Sequence, residues 1–192
     1  MADYKACGSS AGAAAMTSLV LTLVGPDRPG LVSALSEKVA SFGGNWLESQ
    51  MARLAGQFAG VLLVTVPDAD VDAFATGLQE LERDGLRVAI RRAGAEEPAQ
   101  AYKTLRLDLV AHDRPGIVRD ITRVLAERRV NIVELTTTVT SGSFSAEQMF
   151  RAAARLRMPD GVTADELKAV LEQLGNELMI DIALSDPPVP AT

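Results

Sequence analysis

The chain of 192 residues carries 25 acidic against 19 basic side chains, a formal net charge of −6, and its length suits one large domain or two small ones. Hydrophobic residues make up 47%, too many for a disordered chain, and no stretch approaches the ~18–20 continuous apolar residues of a membrane span; the acidic balance disfavours direct nucleic-acid binding. One cysteine, Cys7, and one histidine, His112, exclude a disulfide framework, a multi-cysteine zinc site and any chemistry needing two histidines, and make the reducing cytoplasm the expected compartment.

In chain order, residues 1–16 lack the basic start and long apolar core of a secretory signal. They read as a flexible tail holding Cys7 as a free thiol, with Met16 an alternative start. A first domain is expected over 17–92. Leu19–Val24 is its first strand, and Asp27-Arg28-Pro29-Gly30 then opens a helix. Pro29 suits the first helical turn, where a missing N–H costs nothing, and Asp27 stands near the N-cap. Leu31, Leu35, Val39 and Phe42 make one apolar face, and Gly43-Gly44 ends the helix. A hairpin follows over Asn45–Leu54 and Gln57–Val66. A second helix buries Phe74, Leu78 and Leu81 and stops at Gly85, before a last strand over Leu86–Arg91. Residues 93–102, with Gly94, Glu96, Glu97 and Pro98, form a linker.

The second domain, 103–184, repeats this order. Leu105-Arg106-Leu107-Asp108-Leu109 alternates strictly, the mark of a half-buried strand. Asp113-Arg114-Pro115-Gly116 opens a helix whose apolar face is Ile117, Ile121, Val124 and Leu125. Asn131–Thr140 and Gln148–Arg157 form the hairpin. Thr163-Ala164-Asp165-Glu166 is a capping box for a helix burying Leu167, Val170, Leu171 and Leu174. Gly175 is expected to stop that helix before a strand over Leu178–Leu184. Residues 185–192, with Pro187, Pro188 and Pro190, form a Pro-rich tail.

The two halves are an internal duplication. From Leu19 to Gln50, 12 of 32 positions recur identically 86 residues later, Asp27 meeting Asp113 and Asn45 meeting Asn131. Past the hairpin the offset becomes 92, with Phe58 meeting Phe150 and Pro67 meeting Pro159. Six residues are therefore gained between, and the turn-forming Ser141-Gly142-Ser143 puts them within Thr140–Gln148. Phe144 is a large apolar group for a surface turn, so this longer hairpin is expected to reach the other domain, a second chain or a regulatory partner.

Each half thus reads β-α-β-β-α-β. Right-handed crossovers make it an α+β, ferredoxin-like four-stranded antiparallel sheet with both helices on one face. That fold hosts many functions. An RNA binder needs stacking aromatics on its central strands, but aromatic residues are only 4% of the chain. A soft-metal carrier needs Cys-x-x-Cys after its first strand, where this chain has Asp-Arg-Pro-Gly. An enzyme needs partnered acid, base or nucleophile, and the sole imidazole, His112, has Pro26 as its counterpart. No cofactor and no metal are expected.

A first strand, Asp-Arg-Pro-Gly-Leu/Ile-Val, a helix, and Asn 18 residues after the Asp is similar to the ACT domain, a small regulatory module that binds amino acids. Two tandem ACT domains with no catalytic domain resemble the glycine cleavage system transcriptional repressor family. The chain departs from the serine-binding ACT pattern. That pattern has Asn where Asp27 and Asp113 stand, and His where Gly25 and Ala111 stand, so ligand identity does not carry over. The resemblance implies ligand-binding residues Asp27, Gly30, Leu31 and Asn45 in the first copy and Asp113, Gly116, Ile117 and Asn131 in the second.

The chemistry of these residues fits an amino-acid zwitterion. The N–H groups of Gly30, Leu31, Gly116 and Ile117 open helices and favour a carboxylate. Asp27 and Asp113 suit an ammonium, and Asn45 and Asn131 can donate and accept. The competing reading makes the aspartates helix caps and the asparagines turn residues. Arg28 and Arg114 could clamp a carboxylate, but a solvated loop arginine is the plainer role, as is a solvated face for Arg119, Arg123, Arg128 and Arg129. The expectation is a non-catalytic regulator that binds a small amino acid where one ACT domain's loop faces its neighbour. It would associate as a homo-oligomer and signal to a regulatory protein partner, in control of amino-acid (glycine) metabolism. The alternative is a ligand-free ACT oligomerisation scaffold.

Overall fold

A computed structural model describes residues 15–83, 85–94, 102–141 and 147–186, the side chains of Glu177 and Leu178 excepted. The chain divides into two compact units, 1–98 and 99–192. The tail residues 1–14, most of the linker, the Pro-rich 187–192 and Phe144 lie outside the described residues.

In the first unit, alternation of Leu19, Leu21 and Leu23 puts one face of β1 (Met16–Pro26) into the core. The chain continues through α1 (Leu31–Ser41), β2 (Asn45–Leu54), β3 (Gln57–Pro67), α2 (Val71–Arg83) and β4 (Arg87–Arg92). The second unit repeats the order as β5 (Thr104–His112), α3 (Ile117–Glu127), β6 (Asn131–Ser141), β7 (Gln148–Arg157), α4 (Ala164–Leu178) and β8 (Ile180–Ser185). Each unit forms one antiparallel sheet, ordered β2-β3-β1-β4 and β6-β7-β5-β8. The β-α-β-β-α-β reading is therefore correct, and the ferredoxin-like sandwich is the fold of both units.

The predicted helix faces are the buried ones. Leu31, Leu35 and Val39 of α1 pack with Phe74, Leu78 and Leu81 of α2. Ile117, Ile121, Val124 and Leu125 of α3 pack with Leu167, Leu171 and Leu174 of α4. Phe42 lies edge-on to Phe74, ring centroids 5.7 Å apart. The capping box forms as read: the Glu166 N–H donates to Thr163 Oγ1, and the Thr163 N–H donates to Glu166 Oε2. This pair, led by the Thr163 backbone donor, holds the Glu166 carboxyl below its ordinary pKa.

Two local expectations fail. Gly175 does not end α4, which runs on to Leu178 and closes at Met179, whose φ is +54°. A Cβ on Gly175 would stand 2.7 Å from the Ile180 carbonyl oxygen, so this glycine lets β8 approach the helix. The last strand accordingly begins at Ile180. The second failure lies at the Asp-Arg-Pro-Gly loops.

The candidate ligand loops

Neither aspartate caps a helix. The N-caps of α1 and α3 are Gly30 (φ +90°, ψ −5°) and Gly116 (φ +96°, ψ −5°), and among the described residues neither start has a side-chain capping hydrogen bond. Those angles belong to the third residue of a type II turn, which takes Pro second and Gly third. Pro29-Gly30 and Pro115-Gly116 are that signature. The prolines therefore precede the helices rather than occupying their first turn, and the aspartates stand three residues before the N-caps instead of beside them.

The aspartate backbones are tied elsewhere. The Asp27 N–H donates to the Gly56 carbonyl at 2.9 Å, and the Asp113 N–H donates to the Gln148 carbonyl at 2.8 Å. The first loop is thereby anchored to the tip of its hairpin and the second to the start of β7. In the first unit the tip also supplies Arg53, which ion-pairs with the Asp27 carboxylate. That tip is a two-residue turn, Ala55-Gly56, with φ of +48° and +75°. Ser141 pairs with Gln148 in the second unit, and residues 142–146 there lie outside the described set. The described residues offer Asp113 no side-chain partner. His112 stands exposed beside it, its Nδ1 3.5 Å from Glu147 Oε2.

The two helix starts differ in their cover. An ideal Cβ on Gly30 would meet nothing within 4 Å, whereas one on Gly116 would meet Arg119 Nη2 at 3.1 Å. Arg119 donates to Asp120 Oδ1 from both Nε (3.1 Å) and Nη2 (2.9 Å), and Arg114 reaches Asp120 Oδ2 at 3.4 Å. The Arg119 hydrogen bonds, reinforced by Arg114, hold the Asp120 carboxyl below its ordinary pKa. The first unit carries Ser33 and Ala34 at the matching positions. Leu31 and Ile117 bury their side chains in the cores, so only their backbone N–H groups could meet a ligand.

The asparagines lie at the other end of each sheet. Asn45 pairs with Thr65, which pairs with Ser18 near the start of β1. Asn131 pairs with Arg157, which pairs with Thr104 at the start of β5. Nine residues of strand separate Ser18 from Asp27 and Thr104 from Asp113, about 30 Å at ~3.3 Å per residue. Within one unit, then, the structure groups Asp27 with Gly30 and Leu31, and Asp113 with Gly116 and Ile117, but leaves both asparagines remote.

The end of β1 borders a cleft lined by Gly25, Pro26, Gln57, Glu82 and Arg87 among others. Sequence reasoning passed over it. Gly25 is obligatory there, because a Cβ would stand 2.6 Å from the Gly85 carbonyl oxygen. Trp46 lies partly buried against the first core. The chain matches the ACT domain family over residues 17–90 and again over 103–172.

It belongs to the ACT-domain family.

Among curated relatives of this ACT protein, a UPF0237 protein of Methanocaldococcus jannaschii is 33% identical over 76 residues, 40% of this chain and 83% of that protein. The glycine cleavage system transcriptional repressor of Escherichia coli K12 is 28% identical over 121 residues. That match covers 61% of this chain and 62% of the repressor. The crystal structure of an unknown protein from Galdieria sulphuraria superposes with a TM-score of 0.80 and 29% identity, covering 90% of this chain and 99% of that one. A solved candidate glycine cleavage system transcriptional repressor shares the fold, with a TM-score of 0.66 and 22% identity over 88% of this chain and 96% of its own. No described helix is long and apolar enough to cross a membrane.

Proposed function

We propose that this protein is a non-catalytic, cytoplasmic regulator that binds a small amino acid at its Asp-Arg-Pro-Gly loops and signals the bound state to a partner protein. One observation carries the reading: both helix starts are capped by a glycine backbone alone. Their first N–H groups are thus left for an incoming carboxylate. Asp113 suits the ammonium of the same ligand. Asp27 would do so by exchanging Arg53 for it. Asn45 and Asn131 join a ligand at such a loop only when supplied by a different ACT unit, and a homo-oligomer that supplies such units is part of the proposal. Resemblance to the E. coli repressor supports a regulatory role and suggests control of glycine metabolism as the setting.

A thermal-shift screen of the twenty amino acids tests this. A ligand that binds only the folded state adds about 2.7 kcal/mol at 100 times its Kd, a shift of several degrees. If none shifts the melting temperature at millimolar concentration, the sensor reading fails. A ligand-free oligomerisation scaffold then takes its place, supported by the matched exposure of Val32 and Val118 on the helices and of Leu47 and Val133 on the edge strands.

A further inference from the structure

Duplication makes each unit a control for the other, and their sheets differ on the face turned away from the helices. In the first unit Val20, Thr22 and Val24 of β1 stand there beside Leu63, Val61 and Ala59 of β3. Val24 is 45% and Val61 48% exposed, and neither central strand carries a charged side chain on that face. The matching places in the second unit hold Arg106, Asp108 and Val110 beside Arg155, Ala153 and Arg151. Arg106 pairs with Asp108 at 2.7 Å and Arg155 with Glu134 at 2.7 Å. The second face is thus suited to water, while the first leaves contiguous apolar surface open to it.

The first face keeps its charges at its edges. One row across the sheet reads Glu48 on β2, Leu63, Val20, then Arg91 on β4; a parallel row reads Ala52, Ala59, Val24, then Arg87. Glu48 and Arg91 are three strand spacings apart, about 14 Å, too far to meet within one sheet. Neither has an ion-pair partner among the described residues. A two-fold axis parallel to the strands, between β1 and β3, lays a second copy face to face with β2 over β4 and β3 over β1. It keeps every residue's height along the strands, so Glu48 of each copy stands over Arg91 of the other, and Leu63 over Val20. Beside Glu48, a shallow hollow lined by Val20, Gln50, Val61 and Leu63 has room for the stem of that arginine. An axis across the strands instead lays β4 on β4 and turns Arg91 toward Arg87. Charge placement therefore selects the first arrangement, the aligned packing that two sheets adopt about 10 Å apart.

We propose that the open sheet face of the first unit docks on the same face of a second copy of this chain, flanked by two Glu48–Arg91 ion pairs. The proposal does not depend on amino-acid binding. Sedimentation velocity on the full chain, over a wide range of concentration, is expected to show a dimer. Val61→Glu, at a half-exposed place in the folded unit, is expected to weaken association at least tenfold. Ala153→Glu, its counterpart in the second unit, is expected to leave association unchanged. Glu48→Arg and Arg91→Glu should each weaken it, because like charges then face each other. Mixing those two variants should restore a dimer, since one copy then carries arginine at both edges, the other glutamate, and both pairs reform.

A full chain that stays monomeric overturns the proposal. So does a dimer that survives Val61→Glu, or charge variants that fail to associate when mixed. Amide exchange separates folding from docking: if Val61→Glu strips protection from Leu19, Leu21 and Leu23, that variant is unfolded, and the charge variants on the edge strands decide.

Discussion

Replacing Gly30 by alanine isolates the conformational cost of the ligand loop. Its φ of +90° lies where a Cβ crowds the backbone, at roughly 1–2 kcal/mol for an L-residue. A methyl there meets nothing within 4 Å, so no clash is added, and no capping bond is lost. The first unit should therefore lose about 1–2 kcal/mol, a factor of 5–30 in its folded-to-unfolded ratio. Because the chain has two units, a single melting curve would blur the effect. Native-state amide exchange reads it locally: the β1 and β3 amides of the first unit should lose protection, while those of β5 and β7 serve as internal control. Gly30→Asn, which tolerates positive φ better, should recover part of the loss. An unchanged exchange pattern in Gly30→Ala would refute the turn geometry. So would an Asp27→Ala variant that costs as much, since that is the signature of a capping aspartate.

Asp27→Ala should instead cost no more than the ~0–1 kcal/mol of an exposed ion pair with Arg53, and Asp113→Ala still less, by urea denaturation. Leu62→Ala, which removes a wholly buried side chain of the first core, should destabilise by about 2.7–5 kcal/mol and speed exchange in the first unit alone. Thr163→Ala should cost roughly 0.5–2 kcal/mol by removing a true N-cap, checked in the same denaturation. The folded pKa values of Asp108, Asp120 and Glu166 are lowered, by the Arg106 hydrogen bond, by Arg119 and by the Thr163 backbone respectively. Their contribution is thus complete above the unfolded carboxylate pKa of about 4 and is lost as pH falls through the lower folded values. An acid titration of Glu166→Gln should show a shallower loss of stability below that point than the unchanged chain.

Local sequence determined most of the architecture. The period of two in Leu105–Leu109, the helical spacing of Ile117, Ile121, Val124 and Leu125, and the capping box at Thr163 each act through nearest neighbours along the chain. The duplication then carried every reading from one half to the other. The loops needed a finer local rule, since Pro-Gly before a helix specifies a type II turn as readily as a first helical turn. That ambiguity put the aspartates at the caps. What only the tertiary structure decided is whatever depends on which strands lie side by side. Gly175 reads as a helix stop until β8 is seen against it. The asparagines look adjacent to the loops because 18 residues is a short separation, yet a helix returns the chain to the opposite end of the sheet before each of them. The exchange at Leu62 and Ser49 is the clearest case. These two lie 13 residues apart in sequence, and Ala154 and Leu135, which replace them, lie 19 apart across the insertion of six. Only the register, Ser49 opposite Leu62 and Leu135 opposite Ala154, shows that one exchange has moved a leucine from the central strand to the edge strand.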